Sequence, residues 1–300
     1  MDHLDLQTVE TYLQHRFHAS AVGALSSGTW SQAFVFTVNA HRFVLRFGGD
    51  RVEYEKDQLA ANWSSQALPV PEVLEVGEAF DRHFAISRHV DGLLLDELDA
   101  DGWHRTIPAL LEALGALRDI TLPGVGYGPF NGKGEAAHAT WSSWLIANLD
   151  GDGEGRISSW RDSLSVVPGA MDRYEAGVER FAEVAAACPE LRHATHTDLA
   201  GNTLTTDGRM SGIIDWGNAV AGDPLYDIAH LTFWAPWHPG CPEIELRHSA
   251  AEVLGDAEFD QRVYAYELHI SLAAQRFNAA MGRPHLLDEL TDRADRLSPA

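Results

Sequence analysis

The period of the hydrophobic pattern changes once along this chain, near residue 90, and that change limits the fold more than any other feature. Between Ala24 and Phe47 apolar and aromatic residues alternate, first over Ala33 to Val38 and then over Arg42 to Phe47, with Asn39 and Ala40 between them. A two-residue period interrupted this way predicts a hairpin. Two further short strands are expected at Glu72 to Val76 and at His83 to Ser87. A helix from about Tyr54 to Ser65 should separate them from the hairpin, because Leu68-Pro-Val-Pro71 removes amide donors and restricts the residue before each proline. Ahead of the strands, Leu6, Val9, Leu13 and Phe17 share one helix face, as a docking helix requires.

Beyond Gly92 the period becomes helical. Trp103, Ile107, Leu110, Leu111, Leu114 and Leu117 form one stripe, Tyr174, Val178, Phe181 and Ala185 a second, and Phe259, Val263, Tyr266, Ile270 and Phe277 a third. The glycine-rich stretches Pro123 to Gly134 and Asp150 to Gly155 read as loops between helices. The expectation is an α+β chain with a β-rich lobe over residues 1–90 and a mostly helical lobe over residues 91–300.

Composition removes several function classes. With 44 acidic against 22 basic residues and a formal net charge of −22, the chain would repel nucleic acid; the same acidity can raise the local concentration of a cationic ligand or serve solubility alone. No run approaches the roughly 18 apolar residues of a membrane span, and the first residues are acidic and amphipathic rather than signal-like, so no membrane partner and a cytoplasmic location are expected. Cys188 and Cys241 are too few for a disulfide framework, which fits a reducing compartment. Nothing in the pattern calls for an obligate protein partner. Only two lysines occur, Lys56 and Lys133. The first is expected to be solvated.

The residues that can carry chemistry cluster late. His196-Thr-Asp-Leu-Ala-Gly-Asn202 is followed by Met210-Ser-Gly-Ile-Ile-Asp-Trp-Gly217 and then by Gly222-Asp-Pro-Leu-Tyr-Asp-Ile-Ala229. Phosphoryl transfer needs a hydroxyl to be oriented and phosphate charge to be neutralised, and little else from the protein. A loop carboxylate can accept the hydroxyl proton, while an amide oxygen and a second carboxylate can hold magnesium, which prefers oxygen ligands. Asp198, Asn202 and Asp215 supply that set, with Asp215 delivered at the end of an apolar strand. Asp227 is expected to cap the next helix or to brace the loop of Asp198. Any one fragment alone could be a surface turn; the three in order are not.

These segments, in this order, resemble the aminoglycoside phosphotransferase family, a branch of the kinase-like superfamily. The similarity extends to Leu25-Ser-Ser-Gly-Thr-Trp-Ser-Gln-Ala-Phe34, Phe43-Val-Leu-Arg46, Ala67-Leu-Pro-Val-Pro-Glu-Val-Leu74, Gly126-Tyr-Gly-Pro-Phe130 and Phe233-Trp-Ala-Pro-Trp237, where it runs with the hygromycin B-phosphorylating branch. The resemblance implies a bilobal protein-kinase-like fold, with Asp198 as the catalytic carboxylate and Asn202 and Asp215 as magnesium ligands. It also implies ATP as donor, with GTP open. Gly28 and Ser31 would cover the phosphates, and Ser87, His89 and Val90 would form the connector that meets the purine.

The pattern departs from the family in two places. Asn202 stands four residues after Asp198 rather than five, and Arg46 stands where the family carries a phosphate-contacting lysine. The partner of Arg46 on the following helix would be Glu55, with Glu53 second. The resemblance implies a small cationic acceptor, an aminoglycoside, met by Trp234, Trp237 and Glu267. The competing readings are a metabolic kinase acting on choline, homoserine or a sugar, and a nucleotide-binding pseudokinase without turnover.

Overall fold

The computed structural model describes residues 3–25, 31–151, 157–185, 188–255 and 258–297. The first helix, α1 (Leu6–Phe17), starts where the Asp5 side chain accepts the Thr8 amide. Five strands follow, β1 (Ser20–Ala24), β2 (Ser31–Val38), β3 (His41–Gly48), β4 (Val73–Ala79) and β5 (Arg82–Arg88), with α2 (Arg51–Ala61) between β3 and β4. They form one antiparallel sheet in the order β1-β2-β3-β5-β4. Asn39 and Ala40 close the β2–β3 hairpin at positive φ, as a tight two-residue turn demands. Helix α2 stops at Ala61, short of the expected Ser65. The hydroxyls of Ser64 and Ser65 are taken up instead by the amides of Val70 and Leu68, which fold the proline-containing segment back on the helix.

Strand register separates the two faces of this sheet. Phe34, Leu45 and Ile86 are aligned across three strands and pack with Phe36, Phe47 and Phe84 against Val9 and Leu13 of α1. One residue along, Ala33, Arg46 and Ala85 are aligned on the other face. That face roofs a cleft. The small alanines on either side of Arg46 leave room beneath the sheet.

After Arg88 the chain passes into the helical part through β6 (Leu93–Leu94), which pairs with β10 of a short antiparallel sheet made by β10 (Thr203–Thr206) and β11 (Arg209–Ile213). A second small sheet, in the order β8-β7-β12-β9, joins β7 (Tyr127–Phe130), β8 (Ala136–His138), β9 (His193–Thr195) and β12 (Val220–Gly222). The Pro123 to Gly134 stretch is therefore more than a loop. Its glycines obscured a strand, and they are there because Gly126 and Gly128 adopt positive φ and a Cβ on Gly128 would collide with the Trp144 ring. Arg192 fixes the same stretch by donating to the carbonyls of Leu122, Pro123, Gly126 and Gly134. Most of the Asp150 to Gly155 stretch lies outside the described residues.

The helices are α3 (Ala100–Arg118), α4 (Trp141–Asp150), α5 (Trp160–Ser165), α6 (Ala170–Val184), α7 (Leu225–Trp234), α8 (Glu243–Leu254), α9 (Phe259–Ala280) and α10 (His285–Arg296). They enclose α9, whose polar residues are buried with partners. Arg262 grips Asp223 through both carboxylate oxygens, Tyr266 donates to the same carboxylate at 2.6 Å, and His269 bonds the Tyr226 hydroxyl. Among the described residues no helix is long and apolar enough to cross a membrane.

Candidate active site

A cavity of about 560 Å³ separates the five-stranded sheet from the helical part, and its lining gathers most of the residues singled out above. Ser31, Arg46, Ser87, His89 and Val90 contribute from the sheet side, Asn202 and Asp215 from the other. The His89 amide already donates to the Arg42 carbonyl at 3.2 Å, so that amide is not free for a purine. Gly28 falls outside the described residues.

The loop carrying Asp198 is held from beneath by buried polar groups. His196 is fully enclosed. Its Nε2 donates to the Ile214 carbonyl at 2.9 Å and its Nδ1 accepts the Asp198 amide at 3.3 Å, which places the proton on Nε2. Burial lowers its pKa, so the ring stays neutral. One imidazole thus couples the backbone of Asp198 to the strand that delivers Asp215. Asp227, also enclosed, accepts the amides of His196 at 2.9 Å and Thr197 at 2.6 Å. It braces the loop; its side chain does not cap α7. Thr197 needs that brace because a β-branched residue at φ 67° is strained. Burial drives the Asp227 carboxyl up to about 6, against the two amides that favour its charged form.

Asn202 spends its amide nitrogen on the Asp198 carbonyl at 2.8 Å, so its side-chain oxygen is the atom that could hold a metal. Asp215 sits in the left-handed region at φ 60° and pairs with Arg46 at 3.2 Å. Among the described residues no three His, Cys, Asp or Glu side chains converge to hold a metal unaided. Asn202 and Asp215 are the oxygen donors on this side of the cleft that could hold magnesium, which takes one or two protein oxygens together with waters and substrate phosphates.

Three expectations change. Arg46 forms ion pairs with Asp57 and Asp215, Glu53 lies close enough for its charge to act on the same guanidinium, and Glu55, expected as the first partner, is turned away. Glu55 pairs with Arg51 at 2.9 Å and lies against the turn at Gly132, on the other side of α2. Asp57 also accepts the Trp216 amide at 2.8 Å, and burial raises its carboxyl to about 6. The signal for Asp57 was present in the sequence, since it shares a helix face with Tyr54 and Ala60, three residues away on either side. Lys56 is not solvated. It is 4% exposed, donates to the Gly217 and Ala219 carbonyls at 2.7 and 2.9 Å, and lies 5.1 Å from the Phe130 ring centre.

Glu267 is no substrate contact. It is buried between the Thr232 hydroxyl at 2.6 Å and the Arg247 guanidinium at 3.2 Å. Trp234 and Trp237 meet edge to face at 5.1 Å, half-buried on the helical core. The next residue, His238, was not anticipated. It lies close enough to Asp198 and Asp96 for their charges to interact, and burial lowers its pKa. Asp96 and Asp198 are both raised, chiefly by burial. Asp96, Asp198 and His238 thus lie near enough for their charges to act on one another.

The Phosphotransferase enzyme family profile matches residues 22–262. The chain belongs to that family. It is 32% identical to Hygromycin-B 4-O-kinase from Escherichia coli over 282 residues, spanning 90% of this chain and 78% of that protein. Its fold is similar to aminoglycoside phosphotransferase APH(4)-Ia. A thermostable mutant of that protein in ternary complex with AMP-PNP and hygromycin B superposes with a TM-score of 0.86 at 28% identity, covering 97% of each chain. A further structure of APH(4)-Ia gives 0.84 at 29% identity and 98% coverage of each. The chain is thus a phosphotransferase acting on a hydroxyl group, with the bilobal kinase-like fold.

Proposed function

We propose that this member of the family transfers the γ-phosphate of ATP to a hydroxyl of an aminoglycoside, with hygromycin B the first acceptor to test. The observation that carries the reading is that Asn202, Asp215 and Arg46 line one cleft beside the braced loop of Asp198, in a chain that shares 32% identity with Hygromycin-B 4-O-kinase. The acceptor oxygen attacks the γ-phosphorus, the bond from that phosphorus to the β-bridging oxygen breaks, and ADP leaves. Asp198 orients the acceptor hydroxyl and takes its proton on a carboxylate oxygen, a task suited to a carboxyl whose basicity is raised by burial. Arg46 holds phosphate oxygens from the roof through its forked donors. Asn202 and Asp215 would hold magnesium, which supplies neutralisation of phosphate charge when bound.

The neighbouring carboxylates of Asp96 and Asp198 favour a cationic acceptor. Purified protein should release ADP with hygromycin B in a magnesium-dependent manner, and expression should raise a sensitive host's tolerance. Turnover with a neutral metabolite and with no aminoglycoside would overturn the acceptor assignment.

A further inference from the structure

The segment that follows Asp215 is short, strained and held from outside. Strand β11 ends at Ile213, Asp215 turns into the left-handed region, and residues Trp216–Asn218 form a single tight turn before β12. A non-glycine residue in that conformation persists only where its surroundings enforce it. The turn satisfies one of its own groups, the Ala219 amide on the Trp216 carbonyl at 2.9 Å. Three others are answered by two adjacent residues of α2. Asp57 accepts the Trp216 amide, and the Lys56 ammonium donates to the Gly217 and Ala219 carbonyls.

Burying an ammonium group is costly unless its donors are used. Lys56 is 4% exposed, yet both hydrogen-bond acceptors and the Phe130 ring above it belong to the helical part, 161 and 163 residues away for the two carbonyls. A leucine would fill the same space without the desolvation cost. What only the amine supplies is a pair of donors that fixes the direction of the turn.

We propose that Lys56 is a positioning residue for Asp215, a clamp from the helix of the small lobe that sets how the Asp215 carboxylate enters the cleft. The inference rests on reading Asp215 as a metal ligand. Groups that orient a metal ligand typically change metal affinity by about 10 to 100-fold when removed. The clamp should therefore show itself in metal affinity and in local order, and not in acceptor binding.

The test compares wild type with Lys56→Met, which keeps the volume, and Lys56→Gln, which keeps one donor. In metal-free protein, amide exchange across residues 214–219 should rise about tenfold in Lys56→Met, while β3 and α9 stay within about twofold. The magnesium concentration that half-saturates nucleotide binding should rise at least about tenfold, with metal-free nucleotide affinity within about twofold and Lys56→Gln intermediate. A purely structural lysine would lower the melting temperature without moving the magnesium midpoint. An unchanged midpoint in either folded variant overturns the proposal, as does failure of both variants to fold. If wild type itself shows no magnesium-dependent nucleotide binding, the reading of Asp215 fails and the exchange measurement alone decides whether the clamp exists.

Discussion

Asp227→Asn separates the stability of the fold from the working geometry of its site. The Asp227 carboxylate is 1% exposed and accepts two amides, and its pKa rises from 3.8 to about 6. That rise means the folded protein binds this proton more tightly than the unfolded chain does. The group's contribution to stability is complete below about pH 3.8 and is lost as pH climbs through about 6, amounting to about 3 kcal/mol. Asparagine removes the buried charge and therefore that slope. It also loses one acceptor, leaving an amide unmet at a cost of about 1–3 kcal/mol. The two effects nearly cancel at pH 7, so urea unfolding should place the variant within about 2 kcal/mol of wild type there. At pH 4 the variant should be less stable than wild type, because the charge it removes is then already neutralised. Activity should not follow stability. With one amide released, Thr197 loses the restraint on its strained backbone and Asp198 moves, and ADP release should fall about 100-fold, as small misplacements of reacting groups do. A stability difference that does not change between pH 4 and pH 7, or activity within about threefold of wild type, would refute this account.

Three further outcomes are expected. Asp198→Ala should lower transfer by about 100 to 10,000-fold in steady-state ADP release while nucleotide affinity by calorimetry stays within a few fold. Asp215→Ala should weaken magnesium-dependent nucleotide binding and turnover together, and Asn202→Ala less so, because magnesium can replace one amide oxygen by water; metal titrations of the two variants rank them. Asp57→Ala, which leaves buried Arg46 with its main partner gone and the Trp216 amide unmet, should cost about 3–5 kcal/mol in urea unfolding. Glu55→Ala, which breaks only a surface pair with Arg51, should cost under about 0.5 kcal/mol in the same assay.

What the sequence made legible was what local pattern governs. The β2–β3 hairpin, the α1 face and the stripes of α3, α6 and α9 follow from period alone, because each presents one apolar face to one core. Asp198, Asn202 and Asp215 could be singled out because their spacing is short and their chemistry unusual. What escaped was whatever depends on approach between distant segments. Asp57 shares a helix face with Tyr54 and Ala60 and Glu55 does not, but that this face meets Arg46 depends on the packing of α2 against the turn after Asp215. Glu267 and Lys56 show the same limit in opposite directions. A charge expected to meet the substrate is buried in an ion pair, and one assigned to solvent is enclosed by carbonyls from the far end of the chain. The strand β7 was concealed by glycines that serve a close approach to Trp144 rather than a loop.

The enclosure of Lys56 has a practical side for conjugation chemistry. Since Lys56 and Lys133 are the only lysines and Lys56 has its amine occupied by two carbonyls, an acylating dye finds one accessible ε-amine on the folded chain, Lys133. Lys133 sits on the exposed tip between β7 and β8, beside the Gly132 turn that Glu55 of α2 rests on. A fluorophore attached there, without any engineered cysteine, would stand at the seam between the two lobes and outside the nucleotide cleft. Its emission would report any change at that seam as nucleotide and acceptor are added.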